Sequence, residues 1–155
     1  MLNKNVVKIL NKKKIKISFA ESCTGGLLSK SITDIKGSSK VFKFALITYS
    51  NDSKMNILKV PKKILKKYGA VSEKTCFYMA KNIAKIAKTN MSVSITGIAG
   101  PGGGSKTKPV GLVYVGIKKY NKINIYKYFF KNKSRLSIQK ATVKECLKLI
   151  LKSTK

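Results

Sequence analysis

This sequence predicts an α/β fold: a single layered domain with a mixed β-sheet flanked by helices. Three observations carry that prediction. Segments of helical and strand periodicity interleave over the first two thirds of the chain. Two β-prone segments then follow one another across a short Lys/Asn turn, which adds an antiparallel hairpin to the sheet. The 155 residues, 43% of them hydrophobic, suffice for one core, with no internal repeat and no long linker to divide them. Residues 1–155 therefore read as one domain.

The elements follow in order. Leu2 to Lys13 places Val6, Val7 and Leu10 at helical spacing among lysines, and Ile15 to Ala20 reads as a strand. Thr24 can cap a helix from about Gly25 to Ile35, with Leu27, Leu28, Ser31 and Ile32 inward. Lys36-Gly37-Ser38-Ser39 breaks it, and Val41 to Tyr49 is apolar and β-prone. Asp52 to Leu58 suits a short helix, and Pro61 opens another that runs to Tyr68. Ser72 and Glu73 start the clearest helix, whose buried face is Cys76, Met79, Ala80, Ile83, Ala84 and Ala87. Met91 to Thr96 is a strand, and Gly97 to Pro109 a Gly/Pro loop. Val110 to Ile117 and Ile123 to Phe130 form the hairpin, joined through Lys119 to Lys122. Ser134 caps a last helix with Ile138, Val143, Leu147 and Ile150 facing in.

Composition limits the chemistry. The chain has no His, which removes Ser-His-Asp and Cys-His mechanisms, HExxH zinc sites and any imidazole base. Proton transfer must run on Lys, Tyr, Cys or one of five carboxylates. The net charge of +29 would suit nucleic acid or an anionic membrane. But 33 of the 34 cations are Lys and only Arg135 is Arg, whereas phosphate-reading surfaces recruit the guanidinium fork. Lys, Ile and Asn share A+T-rich codons, so biased base composition accounts for the charge and argues against a nucleic-acid partner. Cys23, Cys76 and Cys146 are odd in number and widely spaced, the pattern of reduced thiols in a cytoplasmic protein. No signal peptide or membrane span is expected, because the first apolar stretch is short and holds Lys16.

Two segments could carry chemistry. Ala20-Glu21-Ser22-Cys23-Thr24-Gly25-Gly26 is a strand–turn–helix junction whose helix start can receive an anion. Glu21, at the end of a strand, can orient either a ligand or a backbone turn. Gly97 to Ser105 holds five of the chain's 11 glycines, so its backbone can approach a ligand and form an N–H nest. It matches neither GxGxxG nor GxxxxGK[ST]. Ordinary capping and a plain flexible loop are the bland alternatives for these two segments.

AESCTGG (20–26), TDIKGSSKVF (33–42), TYSNDSK (48–54), YGAVSE (68–73), TGIAGPGGG (96–104) and KPVG (108–111) occur in that order. Together they resemble the CinA C-terminal domain family, the nicotinamide-nucleotide amidohydrolases, over nearly the whole chain. The resemblance implies a stand-alone deamidase that converts nicotinamide mononucleotide and water to nicotinate mononucleotide and ammonia, with neither metal nor cofactor. It implies Ser39 as nucleophile and Lys54 as general base, with Ser22 and Tyr49 relaying or orienting the proton. Ser22 stays open as the alternative nucleophile. Glu21, Thr24, Gly25, Thr96, Gly97, Gly100, Gly102, Gly103 and Arg135 are the implied substrate-binding positions. Lys133-Ser134-Arg135 stands where the family often has Gly-Asp-Arg, and Gln139 where it has a second Arg. A homodimer is compatible with the resemblance. A non-catalytic nucleotide-binding protein and a basic nucleic-acid-binding module are the competing functions.

Overall fold

Val6, Val7 and Leu10 turn inward together, so the chain opens with helix α1 (Leu2–Lys12) in the computed structural model, which describes residues 1–155. Strand β1 (Ile17–Glu21) follows and is buried at every position, as a central strand covered on both faces must be. Helix α2 (Leu27–Thr33) leads through a 3-10 turn (Ser38–Lys40) to strand β2 (Phe42–Ile47). Two short helices, α3 (Asn51–Asn56) and α4 (Lys62–Tyr68), precede the long α5 (Glu73–Ala87). Strand β3 (Met91–Gly97), strands β4 (Leu112–Lys119) and β5 (Lys122–Phe129), and helix α6 (Arg135–Ser153) complete the domain.

The sheet order is β2-β1-β3-β4-β5. β1 lies parallel to both β2 and β3, while β4 runs antiparallel to β3 and β5 antiparallel to β4. This is the mixed sheet expected from the sequence. One face packs on α1, α2 and α6 through Phe19, Leu28, Ile32, Val93, Ile138 and Ile150. The other packs on α4 and α5 through Ala20, Leu65, Met79 and Ile83. The same alternation that sends Phe19 to one face sends Ala20 to the other.

Local differences from the sequence expectation have clear causes. The second helix begins at Leu27 rather than Gly25, because Gly25 and Gly26 both take positive φ (+55° and +100°) and cannot extend a right-handed helix. Thr24 does not cap it. The Thr24 hydroxyl turns inward to donate to Glu21, and the Glu21 carboxylate caps the helix instead. β4 starts at Leu112 rather than Val110, after Gly111 at φ +94°.

Candidate active site

From β1 the chain crosses to β2 on one side, then returns to form β3 on the other. The carboxyl ends of β1 and β3 therefore flank a topological switch point, the place where open α/β sheets bind ligands. A pocket of about 230 Å³ lies there. Ser22 and Cys23 line it from the turn after β1, and Thr96 through Gly100 with Gly102 and Gly103 from the end of β3 and the loop beyond. Tyr49, Lys54 and Arg135 close it from β2's far end and from α6.

Lys54 is the centre of this pocket. Ser50 caps α3 by accepting from the Ser53 N–H at 3.0 Å, which fixes the helix directly after β2 and turns Lys54 inward. Lys54 is only 1% exposed. Its Nζ donates to Ser22 Oγ at 2.9 Å, to the Thr48 carbonyl at 2.6 Å and to the Tyr49 carbonyl at 3.3 Å. No carboxylate reaches it; the two ion pairs, Lys30–Asp34 and Lys148–Glu145, lie elsewhere. Burial without a counter-charge lowers its pKa to about 8. A Cys23 thiolate would oppose that shift, but burial pushes the Cys23 thiol up to about 12, so it is neutral where Lys54 titrates. A neutral amine has two N–H groups and one lone pair. The two carbonyls can take the N–H groups, which leaves the lone pair facing Ser22 Oγ.

Ser22 sits where β1 ends, 7% exposed, with its own N–H donated to the Ile95 carbonyl of β3 at 3.1 Å. Behind it, Glu21 is fully buried and accepts five hydrogen bonds. One oxygen takes Thr24 Oγ1 and the Gly26 and Leu28 N–H groups; the other takes the Ser29 N–H and Oγ. That uses the carboxylate's acceptor capacity, so Glu21 orients the turn and is not a substrate contact. Thr24 and Gly25 also leave the list of substrate contacts. Thr24 is buried against Glu21, and the Gly25 N–H is spent on the Ser22 carbonyl at 3.0 Å. The N–H of Cys23, the residue after Ser22, has no oxygen acceptor in the chain; nor do those of Ala99, Gly100, Gly102 and Gly103.

Thr96 and the glycines shape the opposite wall. Thr96 Oγ1 donates to the Ala70 carbonyl at 2.7 Å and so ties β3 to the segment before α5. A Cβ at Gly97 would lie 2.7 Å from Val113 Cγ2. Gly100 has φ +76°, and a Cβ there would meet Val110 Cγ1 at 2.4 Å. Arg135 reaches over from α6, donating from Nη1 to the Gly100 carbonyl at 2.8 Å and from Nη2 to the Tyr49 hydroxyl at 2.7 Å. Its remaining N–H groups are free for an anion. Tyr49 thus meets Lys54 through its carbonyl, while its hydroxyl belongs to Arg135.

Ser39 is the residue that the fold keeps away. It lies exposed in the 3-10 turn before β2, whereas Lys54 follows the far end of that strand. Next to it, Val41 accepts from Ile17 and Lys40 from Lys16, which fixes this turn at the amino end of β1. A six-residue strand, about 20 Å long, separates the two. Pairing of Ser39 with Lys54 is therefore corrected: within this chain the lysine's serine is Ser22. The Thr48 and Tyr49 carbonyls and the Cys23 N–H were missing from the sequence expectation, because main-chain groups leave no residue-type signal.

A sequence profile of the CinA C-terminal domain matches residues 1–154. The chain belongs to the CinA C-terminal domain family. A CinA-like protein of Prochlorococcus marinus (strain MED4) is 49% identical over 158 residues, which cover 99% of this chain and 36% of that protein. The chain spans little more than a third of the length of the curated relatives it matches. Among solved structures, the competence/damage inducible protein CihA of Agrobacterium tumefaciens superposes with a TM-score of 0.97 at 37% identity, covering 99% of this chain and 94% of that one. A CinA superfamily protein of Escherichia coli gives a TM-score of 0.93 at 28% identity, covering 97% and 87%. The fold is thus the family's throughout.

Proposed function

We propose that this chain is an amidohydrolase that removes ammonia from the carboxamide of nicotinamide mononucleotide, with Ser22 as nucleophile and Lys54 as general base. The 2.9 Å contact between Lys54 Nζ and Ser22 Oγ carries this reading. Neutral Lys54 takes the Ser22 proton as Oγ attacks the carboxamide carbon. The resulting oxyanion is met by backbone donors from the pocket walls. The Cys23 N–H belongs to the residue after the nucleophile, and Ala99 or Gly100 supplies a second donor from the facing loop. Protonated Lys54 then gives its proton to the leaving nitrogen, the C–N bond breaks, and ammonia departs from an acyl-Ser22 ester. Water attacks that ester and passes a proton to Lys54. Collapse of the second tetrahedral species returns the proton to Ser22 and releases nicotinate mononucleotide.

The pocket volume agrees with this substrate. At about 230 Å³ it is below the range usual for drug-sized ligands, which suits a carboxamide ring inside and the ribose phosphate at the mouth. There the free N–H groups of Gly102, Gly103 and Arg135 offer an anion site.

Ammonia release from nicotinamide mononucleotide by purified protein tests the reading. Ser22→Ala is expected to lower kcat by about 10³-fold or more, while Ser39→Ala keeps most of the turnover. The reverse pattern would transfer the nucleophile to Ser39. No ammonia from well-folded wild-type protein would sink the deamidase reading.

A further inference from the structure

Two side chains on α6, four residues apart, reach across to the main chain of both pocket walls. Arg135 holds the Gly100 carbonyl of the glycine loop. Gln139, one helical turn on, donates from Nε2 to the Cys23 carbonyl at 2.8 Å. Because a carbonyl only accepts, the amide face turned to Cys23 has to be the NH₂. Gln139 is half-buried, and its partner lies 116 residues away in the chain.

The two peptide units that follow Ser22 are each held by their oxygen. The first is fixed inside the turn, where the Gly25 N–H donates to the Ser22 carbonyl at 3.0 Å. This sets the direction of the Cys23 N–H, which belongs to the same peptide plane. The second, between Cys23 and Thr24, takes a hydrogen bond from Gln139 and from no other group in the chain. Gly25 and Gly26 follow immediately at positive φ, and glycine backbones resist rotation least. The turn is therefore clamped behind by Glu21 and in front by Gln139, and only the second clamp comes from another element of the fold's surface layer.

We infer that Gln139 is a positioning residue: through the Cys23 carbonyl it holds Ser22 and the Cys23 N–H in register with Lys54 and with the glycine loop that Arg135 secures. The inference rests on the assignment of Ser22 as nucleophile. Gln139 neither lines the pocket nor bonds to Lys54, so its role falls on the chemical step and not on binding. A displacement of about 1 Å at a reacting group can cost about 10²-fold in rate.

Wild-type protein, Gln139→Leu and Gln139→Lys form the test, each first checked for folding by circular dichroism. Gln139→Leu removes the donor at similar volume; Gln139→Lys keeps one. The Leu variant is expected to lose about 10- to 100-fold in kcat on nicotinamide mononucleotide with KM within about twofold, and the Lys variant to recover most of it. Unchanged kcat in Gln139→Leu, or equal loss in both variants, would overturn the role. Hydrogen exchange over residues 20–29 provides a second readout that needs no turnover. Faster exchange in Gln139→Leu, restored in Gln139→Lys, is expected; no difference would overturn the clamp. If wild-type protein releases no ammonia, the deamidase reading fails, and the exchange data alone decide the clamp.

Discussion

At the scale of single residues, the base role proposed for Lys54 ties turnover to pH. Lys54 acts as a base only when neutral, and burial sets its pKa at about 8. We expect kcat/KM to climb about tenfold per pH unit below that value and to level off above it, in a profile measured from pH 6 to pH 10. A flat profile would remove Lys54 from the base role. Stability follows the opposite partner of the same equilibrium. The folded pKa lies below the ordinary 10.5, so the unfolded chain binds the extra proton between about pH 8 and 10.5. The cost of burying this amine is absent above 10.5, grows as pH falls toward 8 and is constant below. Lys54→Met lacks that cost, so its midpoint temperature relative to wild type should rise as pH falls through this window. The sequence alone singled out Lys54 by its motif. It could not show that Ser22 is the serine beside it, because a parallel strand carries Ser39 and Lys54, 15 positions apart, to opposite ends of the sheet.

At the scale of elements, α2 is the instructive case. It is seven residues long, the Gly26 that precedes it has no capping side chain, and no acidic residue stands in its first turn. An isolated helix of this length would not persist. Its orphan N–H groups at Leu28 and Ser29, and that of Gly26 before it, go to a carboxylate from the preceding strand. Glu21→Gln leaves one acceptor oxygen and turns an NH₂ toward donors. We expect it to cost about 2–4 kcal/mol in urea unfolding, since charge-assisted bonds to a buried carboxylate are lost. A change below 0.5 kcal/mol would show that the turn holds itself. Strands and long helices were legible from periodicity to within a residue or two, as with α5 and its buried face from Cys76 to Ala87. The cap of α2 was not. Thr24 has the residue type of a cap, and only the three-dimensional turn reveals that a glutamate three positions earlier takes the role. The Gln139–Cys23 contact was beyond sequence reasoning for the same reason, because no periodicity links positions 116 residues apart.

At the scale of the whole molecule, the interleaved strands and helices foretold an α/β sheet, and such sheets place their ligands at the carboxyl ends of their strands. What the composition left open was the use of its charge. Thirty-four cations face five carboxylates, and only two ion pairs form. The excess repels itself in the folded state and draws anions toward the pocket. Raising NaCl from about 20 to 500 mM should therefore raise the midpoint temperature and also raise KM for a phosphorylated substrate, as both effects are screened. A KM that ignores salt would mean the field does not steer substrate. A different consequence follows from Cys23. It stands next to the proposed nucleophile, yet its thiol is held protonated across the physiological range. A thiol kept protonated and only 5% exposed is a poor target for alkylating agents and peroxide. On the proposed serine mechanism, thiol-alkylating agents near neutral pH should leave ammonia release largely intact.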